Sequence, residues 1–94
     1  MKVEYEAYLV KIIGRVTGVG FRYSTRDFVN QFSEVRGYVR NVRENEVEVL
    51  IQGKKEHLEV ILAWLTHGPS HARVDDIKIN KTPLSDELGY FKIK

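Results

Sequence analysis

The amino-acid sequence predicts an α+β sandwich in which two helices cover one face of a four- to five-stranded antiparallel or mixed sheet. Its 94 residues suffice for one hydrophobic core, so a single domain is expected over residues 1–94. Runs of β-branched and aromatic residues predict strands, whereas two segments with apolar residues three and four positions apart predict amphipathic helices. These segments follow one another in the order strand, helix, strand, strand, helix, strand, and a further short strand is expected at the C-terminus.

The first strand and the first helix are separated by a turn that is rich in glycine. Residues 5–13 (YEAYLVKII) carry apolar side chains on both faces, which is typical of a central strand. Between residues 23 and 32, apolar residues and Thr25 recur at spacings of three and four, which predicts a helix. Ser24 or Thr25 is the expected cap at the start of this helix.

A hairpin is predicted in the middle of the chain, because strands at residues 37–42 and 47–51 are joined by only a few residues. Asn45 lies in this short connection and is expected to adopt a positive φ, which asparagine tolerates better than most residues. The two strands should therefore pair antiparallel.

The remaining elements complete the order of a known architecture. A second amphipathic helix is predicted at about residues 56–66 and is ended by Gly68 and Pro69. Residues 74–79 and 90–94 are predicted as strands. Each helix must bury its apolar face, and both can do so on one side of an antiparallel sheet, as in ferredoxin-like folds. Because that fold supports many functions, the site residues must indicate what the chain does.

The composition excludes several classes of function. The sequence contains no cysteine, which rules out disulfides, thiolate metal sites and cysteine nucleophiles. Its 15 lysines and arginines against 13 aspartates and glutamates leave a formal net charge of +2, too small to indicate a nucleic-acid partner. No stretch has the character of a signal peptide or a membrane span, so we expect a cytoplasmic protein with no membrane partner. A monomer is the expected state.

The candidate site is the segment GRVTGVGFR, which runs from Gly14 to Arg22 between the first strand and the first helix. Glycines let successive backbone N–H groups face inward, and the start of the helix adds free donors, so this segment suits an anion. It is not a Walker loop, because no Lys-Ser or Lys-Thr follows the last glycine. It is not a dinucleotide-binding fingerprint either, because Tyr23 occupies the third glycine position.

Arg22 favours the anion-binding interpretation. The helix dipole disfavours a cation at a helix N-terminus by about 0.3–1 kcal/mol, and a bound anion removes that penalty. A guanidinium also binds a phosphoryl group in a bidentate manner that lysine cannot reproduce. On spacing alone, however, a tight turn with a solvated Arg22 remains the alternative.

Beyond these physical arguments, the chain resembles the acylphosphatase family. The segment from Gly14 to Arg22, followed by GYVRN at residues 37–41 and then by residues 47–53, is similar to the two signatures of that family. The similarity continues in register over nearly the whole chain. Two positions depart from the family pattern, because Thr17 stands where glutamine is usual and Asn45 where glycine is usual. The effect of the shorter Thr17 side chain on substrate affinity is left open.

The resemblance implies an enzyme that hydrolyses the carboxyl–phosphate bond of small-molecule acyl phosphates and releases inorganic phosphate, without a metal or cofactor. It implies that Arg22 binds the phosphoryl group and that Asn41 orients the attacking water. The substrate-binding loop that it implies comprises Arg15, Val16, Thr17, Gly18, Val19 and Gly20. It does not identify the physiological acyl phosphate.

Three other interpretations of the residues are weaker. Residues 36–40 are similar to the start of an RNA-recognition motif, but Arg40 stands where a second stacking aromatic is needed. His57, His67 and His71 are expected to be surface residues and not metal ligands, because a helix and a turn separate them. A regulatory acylphosphatase-like domain without turnover is disfavoured, because both residues implied as catalytic are present.

Overall fold

The computed structural model describes residues 2–94 and confirms the α+β sandwich. Its strands form one five-stranded sheet in the order β4-β1-β3-β2-β5. The first four strands pair antiparallel, whereas β5 pairs parallel with β2, so the sheet is mixed. The elements are β1 (Tyr5–Arg15), α1 (Phe21–Val29), β2 (Arg36–Arg43), β3 (Glu46–Lys54), α2 (Lys55–Leu65), β4 (Arg73–Thr82) and β5 (Lys92–Ile93).

The hydrophobic core lies between the sheet and the two helices. Helix α1 packs against β2 and β5, and α2 packs against β3 and β1. As its two apolar faces predict, β1 lies inside the sheet, between β4 and β3. None of the helices within residues 2–94 is long and apolar enough to cross a membrane. The fully buried core side chains include Val10, Ile12, Val39, Val47, Val49 and Ile51 of the sheet and Val29, Leu58, Ile61 and Leu65 of the helices.

Helix α1 begins and ends earlier than the sequence pattern predicts. Its N-cap is Gly20 and no side chain caps it, so the prediction that Ser24 or Thr25 is the cap is wrong. The buried hydroxyl of Thr25 instead donates a hydrogen bond of 2.8 Å to the carbonyl of Phe21, one turn earlier in the same helix. Phe32 lies beyond the helix but packs against the core, which is why it matched the helical pattern.

Glu44 and Asn45 form the two-residue turn of the β2–β3 hairpin, which is antiparallel as predicted. The positive φ expected for Asn45 is absent, because among residues 2–94 the one non-glycine residue with a positive φ is Glu34, at 70°. Strand β2 carries an extra residue, Val42, where its register against β3 shifts. Such a bulge adds local twist to the hairpin, so the turn does not depend on left-handed residues to supply it.

The segment between β4 and β5 crosses the face of the sheet that the helices leave open. It must cross the sheet, because β4 and β5 lie at opposite edges. The side chain of Gln52 donates a hydrogen bond of 2.9 Å to the carbonyl of Ser85 and accepts one of 2.8 Å from its N–H. Ala7, which pairs with Gln52 in the sheet, is only 1% exposed. The crossing segment thus protects one end of the open face from water.

Candidate active site

The loop after β1 and the end of β2 lie at the same end of the sheet, where these two strands finish. Strands β1 and β2 are both antiparallel to β3, which lies between them, so they run parallel to each other. The start of the loop therefore lies at the same end of the sheet as Asn41, which is near the end of β2. A hydrogen bond of 2.9 Å from the N–H of Gly14 to the carbonyl of Asn45 joins the end of β1 to the β2–β3 turn.

The loop of residues 16–20 contains two valines that are held by the core and two glycines beside open space. Val16 is buried and Val19 packs against the core, so both hold the loop to the protein. Gly18 and Gly20 have φ values of 71° and 76°, a conformation that side chains with a β-carbon rarely adopt. A β-carbon built at either glycine meets no atom within 4 Å, so the space beside them is open. The glycines therefore set the backbone conformation and leave room in front of it.

Helix α1 starts directly after this loop with unsatisfied N–H groups. No side chain caps it, and its first turn contains no acidic residue. The N–H of Ser24 donates a hydrogen bond of 2.9 Å to the carbonyl of Gly20, so the N–H groups of residues 21–23 have no acceptor within the helix. These free donors and the positive end of the helix dipole favour an anion at this place.

Arg15 and Arg22 flank the loop, and within residues 2–94 they are the two arginines whose side chains have neither an ion pair nor a hydrogen bond. Arg15 is exposed and Arg22 is half-buried. Arg22 lies in the first turn of α1, where no carboxylate compensates its charge. The other arginines have protein partners: Arg26 with Asp27, Arg36 with the carbonyl of Leu88, Arg40 with Glu48, Arg43 with Glu46, and Arg73 with Asp75.

Asn41 is an exposed residue near the end of β2, opposite Val47 of β3. It lies two positions after the buried Val39, so both side chains point to the face of the sheet on which α1 packs. Within residues 2–94 its side chain forms no hydrogen bond. Its carboxamide therefore has both a donor and an acceptor available to a water molecule or a ligand.

The other face of the sheet carries a separate polar cluster, formed by Tyr38 and Arg40 of β2 and Glu48 of β3. The Tyr38 hydroxyl and the Arg40 Nε donate hydrogen bonds of 2.8 Å and 2.9 Å to Glu48 Oε2. Burial raises the pKa of Glu48, but these two hydrogen bonds and the charge of Arg40 outweigh it and bring the pKa below its ordinary value of 4.5. Burial and the hydrogen bond to Glu48 raise the pKa of Tyr38.

This cluster weakens the RNA-recognition interpretation further. The ammonium of Lys94 lies 4.5 Å from the centre of the Tyr38 ring, so the ring is already covered by a cation. The hydroxyl of the same ring is held by Glu48. A base could stack on Tyr38 only after displacing these contacts.

No three His, Cys, Asp or Glu side chains of residues 2–94 come together in a group that could hold a metal ion. His67 and His71 are exposed, as predicted. His57 is half-buried, so its prediction as a surface residue is wrong: its Nδ1 is buried without a hydrogen-bond partner, and its ring centre lies 5.2 Å from that of Phe32. The chain after α1 brings Phe32 against the start of α2, a contact that the helical spacing of α2 does not reveal.

Thr17 makes a contact that the sequence does not indicate. Its hydroxyl donates a hydrogen bond to the carbonyl of Glu44 in the β2–β3 turn. The two residues are 27 positions apart in the sequence. They meet because β1 and β2 finish at the same end of the sheet. The sequence therefore places Thr17 in the loop without showing what its side chain does.

Comparisons with known proteins identify the family to which the sequence is similar. The family model described as Acylphosphatase matches residues 8–93. An acylphosphatase from Colwellia psychrerythraea is 43% identical over 87 residues, which cover 93% of this chain and 96% of the relative.

Solved structures extend the agreement to the fold. The acylphosphatase from Bacillus subtilis is 27% identical with a TM-score of 0.86, and the match covers 95% of this chain and 98% of that one. The acylphosphatase from Coxiella burnetii is 26% identical with a TM-score of 0.87, and the match covers 96% of this chain and 93% of that one. Since the family model spans the glycine loop, the start of α1 and the β2–β3 hairpin alike, the chain belongs to the acylphosphatase family of hydrolases.

Proposed function

We propose that the chain hydrolyses the carboxyl–phosphate bond of acyl phosphates, with Arg22 binding the phosphoryl group and Asn41 orienting the attacking water. The observation that supports this most strongly is the unpaired guanidinium of Arg22 at the uncapped start of α1, directly after the glycine loop. Positive charge and N–H donors without acceptors meet at one place. An anion with several oxygens satisfies both.

The phosphoryl group binds to the loop and to the first turn of α1. The amides from about Arg15 to Gly20 and the start of the helix donate to its oxygens, while the guanidinium of Arg22 supplies charge and two parallel N–H donors. The open space beside Gly18 and Gly20 lets these oxygens approach the backbone closely. The bound anion also removes the unfavourable interaction between Arg22 and the helix dipole.

The leaving group explains why so few side chains are needed. The oxygen of water forms a bond to phosphorus, and the bond between phosphorus and the acyl oxygen breaks with its electron pair going to that oxygen. The acyl group departs as a carboxylate, whose conjugate acid has a pKa of about 4, so no general acid has to protonate it. The products are a carboxylate and inorganic phosphate.

Asn41 positions the water in line with the departing carboxylate. Its carboxamide oxygen accepts a hydrogen bond from water, and such positioning supplies much of the catalysis in phosphoryl transfer. A carboxamide is too weak a base to take the proton of the water, so the phosphoryl group itself accepts it. This route makes turnover insensitive to pH near neutrality.

Assays of turnover and of phosphate binding together test the proposal. With acetyl phosphate as a generic substrate, we expect turnover that a chelator leaves unchanged, because the protein itself supplies the positive charge. Loss of turnover on chelation, restored by a divalent ion, would contradict that expectation, and no turnover in either condition would refute the activity. In an NMR titration with inorganic phosphate, the amides of residues 17–22 should shift, and unshifted signals would refute the loop as the anion site.

A further inference from the structure

Two hydrogen bonds tie the glycine loop and its start to the β2–β3 turn. One runs from the N–H of Gly14 to the carbonyl of Asn45 and joins two backbone groups, so it does not depend on a side chain. The other runs from the hydroxyl of Thr17 to the carbonyl of Glu44 and depends on the side chain. The turn that accepts both bonds follows β2, the strand that carries Asn41.

Thr17 is the one residue of the loop whose side chain can form such a bond. Residues 16–20 read Val-Thr-Gly-Val-Gly, so the other side chains are apolar or absent. Val16 and Val19 pack against the core and so hold the loop to it, but their apolar side chains cannot form a hydrogen bond to the hairpin. Gly18 and Gly20 have free space around them and add conformational freedom.

From this arrangement, and resting on the proposed function, we infer that Thr17 is a positioning residue: its hydroxyl holds the loop amides in place relative to Asn41. With the bond formed, the loop needs little further ordering when a phosphoryl group binds. Without it, the two flexible glycines must be ordered at the moment of binding, and that cost opposes affinity. The bond thereby couples the anion-binding half of the site to the half that orients water.

Two substitutions at Thr17 separate the hydroxyl from the shape of the side chain. T17V keeps the β-branched shape and removes the donor, whereas T17S keeps the donor. The matched control is T66V, because the Thr66 hydroxyl likewise donates to a backbone carbonyl, that of Ala63 at 2.6 Å, which lies in α2 and not in the β2–β3 turn. For each variant, kcat, KM, the inhibition constant of inorganic phosphate and the Tm are measured.

We expect T17V to raise KM and the phosphate inhibition constant by about 2- to 10-fold, as for the loss of one neutral hydrogen bond. The ordering cost falls on binding, so kcat should change less than KM. T17S should stay within about twofold of the unmodified chain, and T66V should leave both constants unchanged. Amide hydrogen exchange at Gly18 and Gly20 should become faster in T17V alone.

A merely structural role for Thr17 gives a different pattern. If T17V lowers the Tm but leaves KM, the phosphate constant and the exchange rates at Gly18 and Gly20 unchanged, the inference is wrong. An effect of T66V as large as that of T17V would also overturn it, because the loss would then be unspecific. If the unmodified chain binds phosphate but does not turn over acetyl phosphate, the proposed function fails, while phosphate binding and hydrogen exchange still decide the role of Thr17.

Discussion

Gly68 lies against the ring of Phe21, so close that a β-carbon at Gly68 would come within 2.7 Å of Phe21 Cε2. Phe21 is the first residue of α1 and precedes Arg22. The segment after α2 thus supports the start of the helix that carries the candidate phosphate-binding arginine. The ring of Trp64, near the end of α2, lies 6.2 Å from that of Phe21 on the same side of the protein.

Replacing Gly68 with alanine should destabilise the fold by about 1–3 kcal/mol, the usual cost of overpacking a well-packed site. The φ of Gly68, 70°, adds backbone strain, since alanine disfavours this conformation. Urea unfolding followed by the fluorescence of Trp64, the one tryptophan of the sequence, measures the change. G89A is the matched control, because a β-carbon at Gly89 meets no atom within 4 Å. Equal stability of G68A and G89A would contradict the close contact.

Glu48 should contribute to the loss of stability in acid. Its folded pKa lies below the ordinary value of 4.5, so the ionised carboxylate stabilises the fold above about pH 4.5. That contribution is lost as the pH falls through the lower folded pKa. E48Q should therefore reduce the free energy of unfolding at pH 7 by about 1.5–3 kcal/mol, the range for hydrogen bonds to a charged group. The deficit should shrink as the pH is lowered towards 3.

The pH dependence of unfolding free energy for E48Q, E59Q and the unmodified chain separates this effect from others. Glu59 is exposed on α2, so E59Q serves as the control for the loss of one carboxylate. Hydrogen bonds from Tyr8 and Lys81 also lower the pKa of Glu6, so part of the acid dependence should persist in E48Q. A deficit in E48Q that is constant from pH 7 to pH 3 would show that the charge of Glu48 is not what stabilises the fold.

The fold was predictable from sequence because each helix and strand has its own local periodicity of apolar residues. Apolar residues on both faces of residues 5–13 indicated an interior strand, and β1 does lie inside the sheet. The glycine spacing and the cation Arg22 likewise predict an anion site from local sequence, and that site stays a prediction. The contacts between segments that are distant in sequence are not indicated by any local pattern of residues. The bond from Thr17 to Glu44 and the packing of His57 on Phe32 exist because the topology brings separate segments together.

Arg22→Ala should lower kcat/KM by on the order of 10²–10³, as for the removal of one well-placed electrostatic group in an active site. Because the guanidinium is proposed to bind the anion itself, the affinity for inorganic phosphate should fall as well. R26A is the matched control: Arg26 lies in the same helix and its guanidinium pairs with Asp27, 3.2 Å away. Turnover and phosphate binding of R26A should match those of the unmodified chain. Retained phosphate affinity in a folded R22A variant would remove Arg22 from the anion site.

Asn41→Ala should also lower turnover by on the order of 10²–10³, but through kcat, because Asn41 is assigned to the water and not to the anion. The affinity for inorganic phosphate should stay close to that of the unmodified chain, since the guanidinium of Arg22 and the loop amides remain. Steady-state kinetics with acetyl phosphate and a phosphate titration by NMR measure the two effects separately.

The control for this variant is N80A, which removes an exposed asparagine from β4, a strand that pairs with β1 and not with β2. It should leave both kcat and phosphate affinity unchanged, so that a loss in N41A cannot be assigned to the removal of any strand carboxamide. If N41A lost phosphate affinity as severely as R22A while remaining folded, the division of roles between the two residues would be wrong. If N41A kept the kcat of the unmodified chain, Asn41 would be a polar residue near a strand end with no part in the reaction.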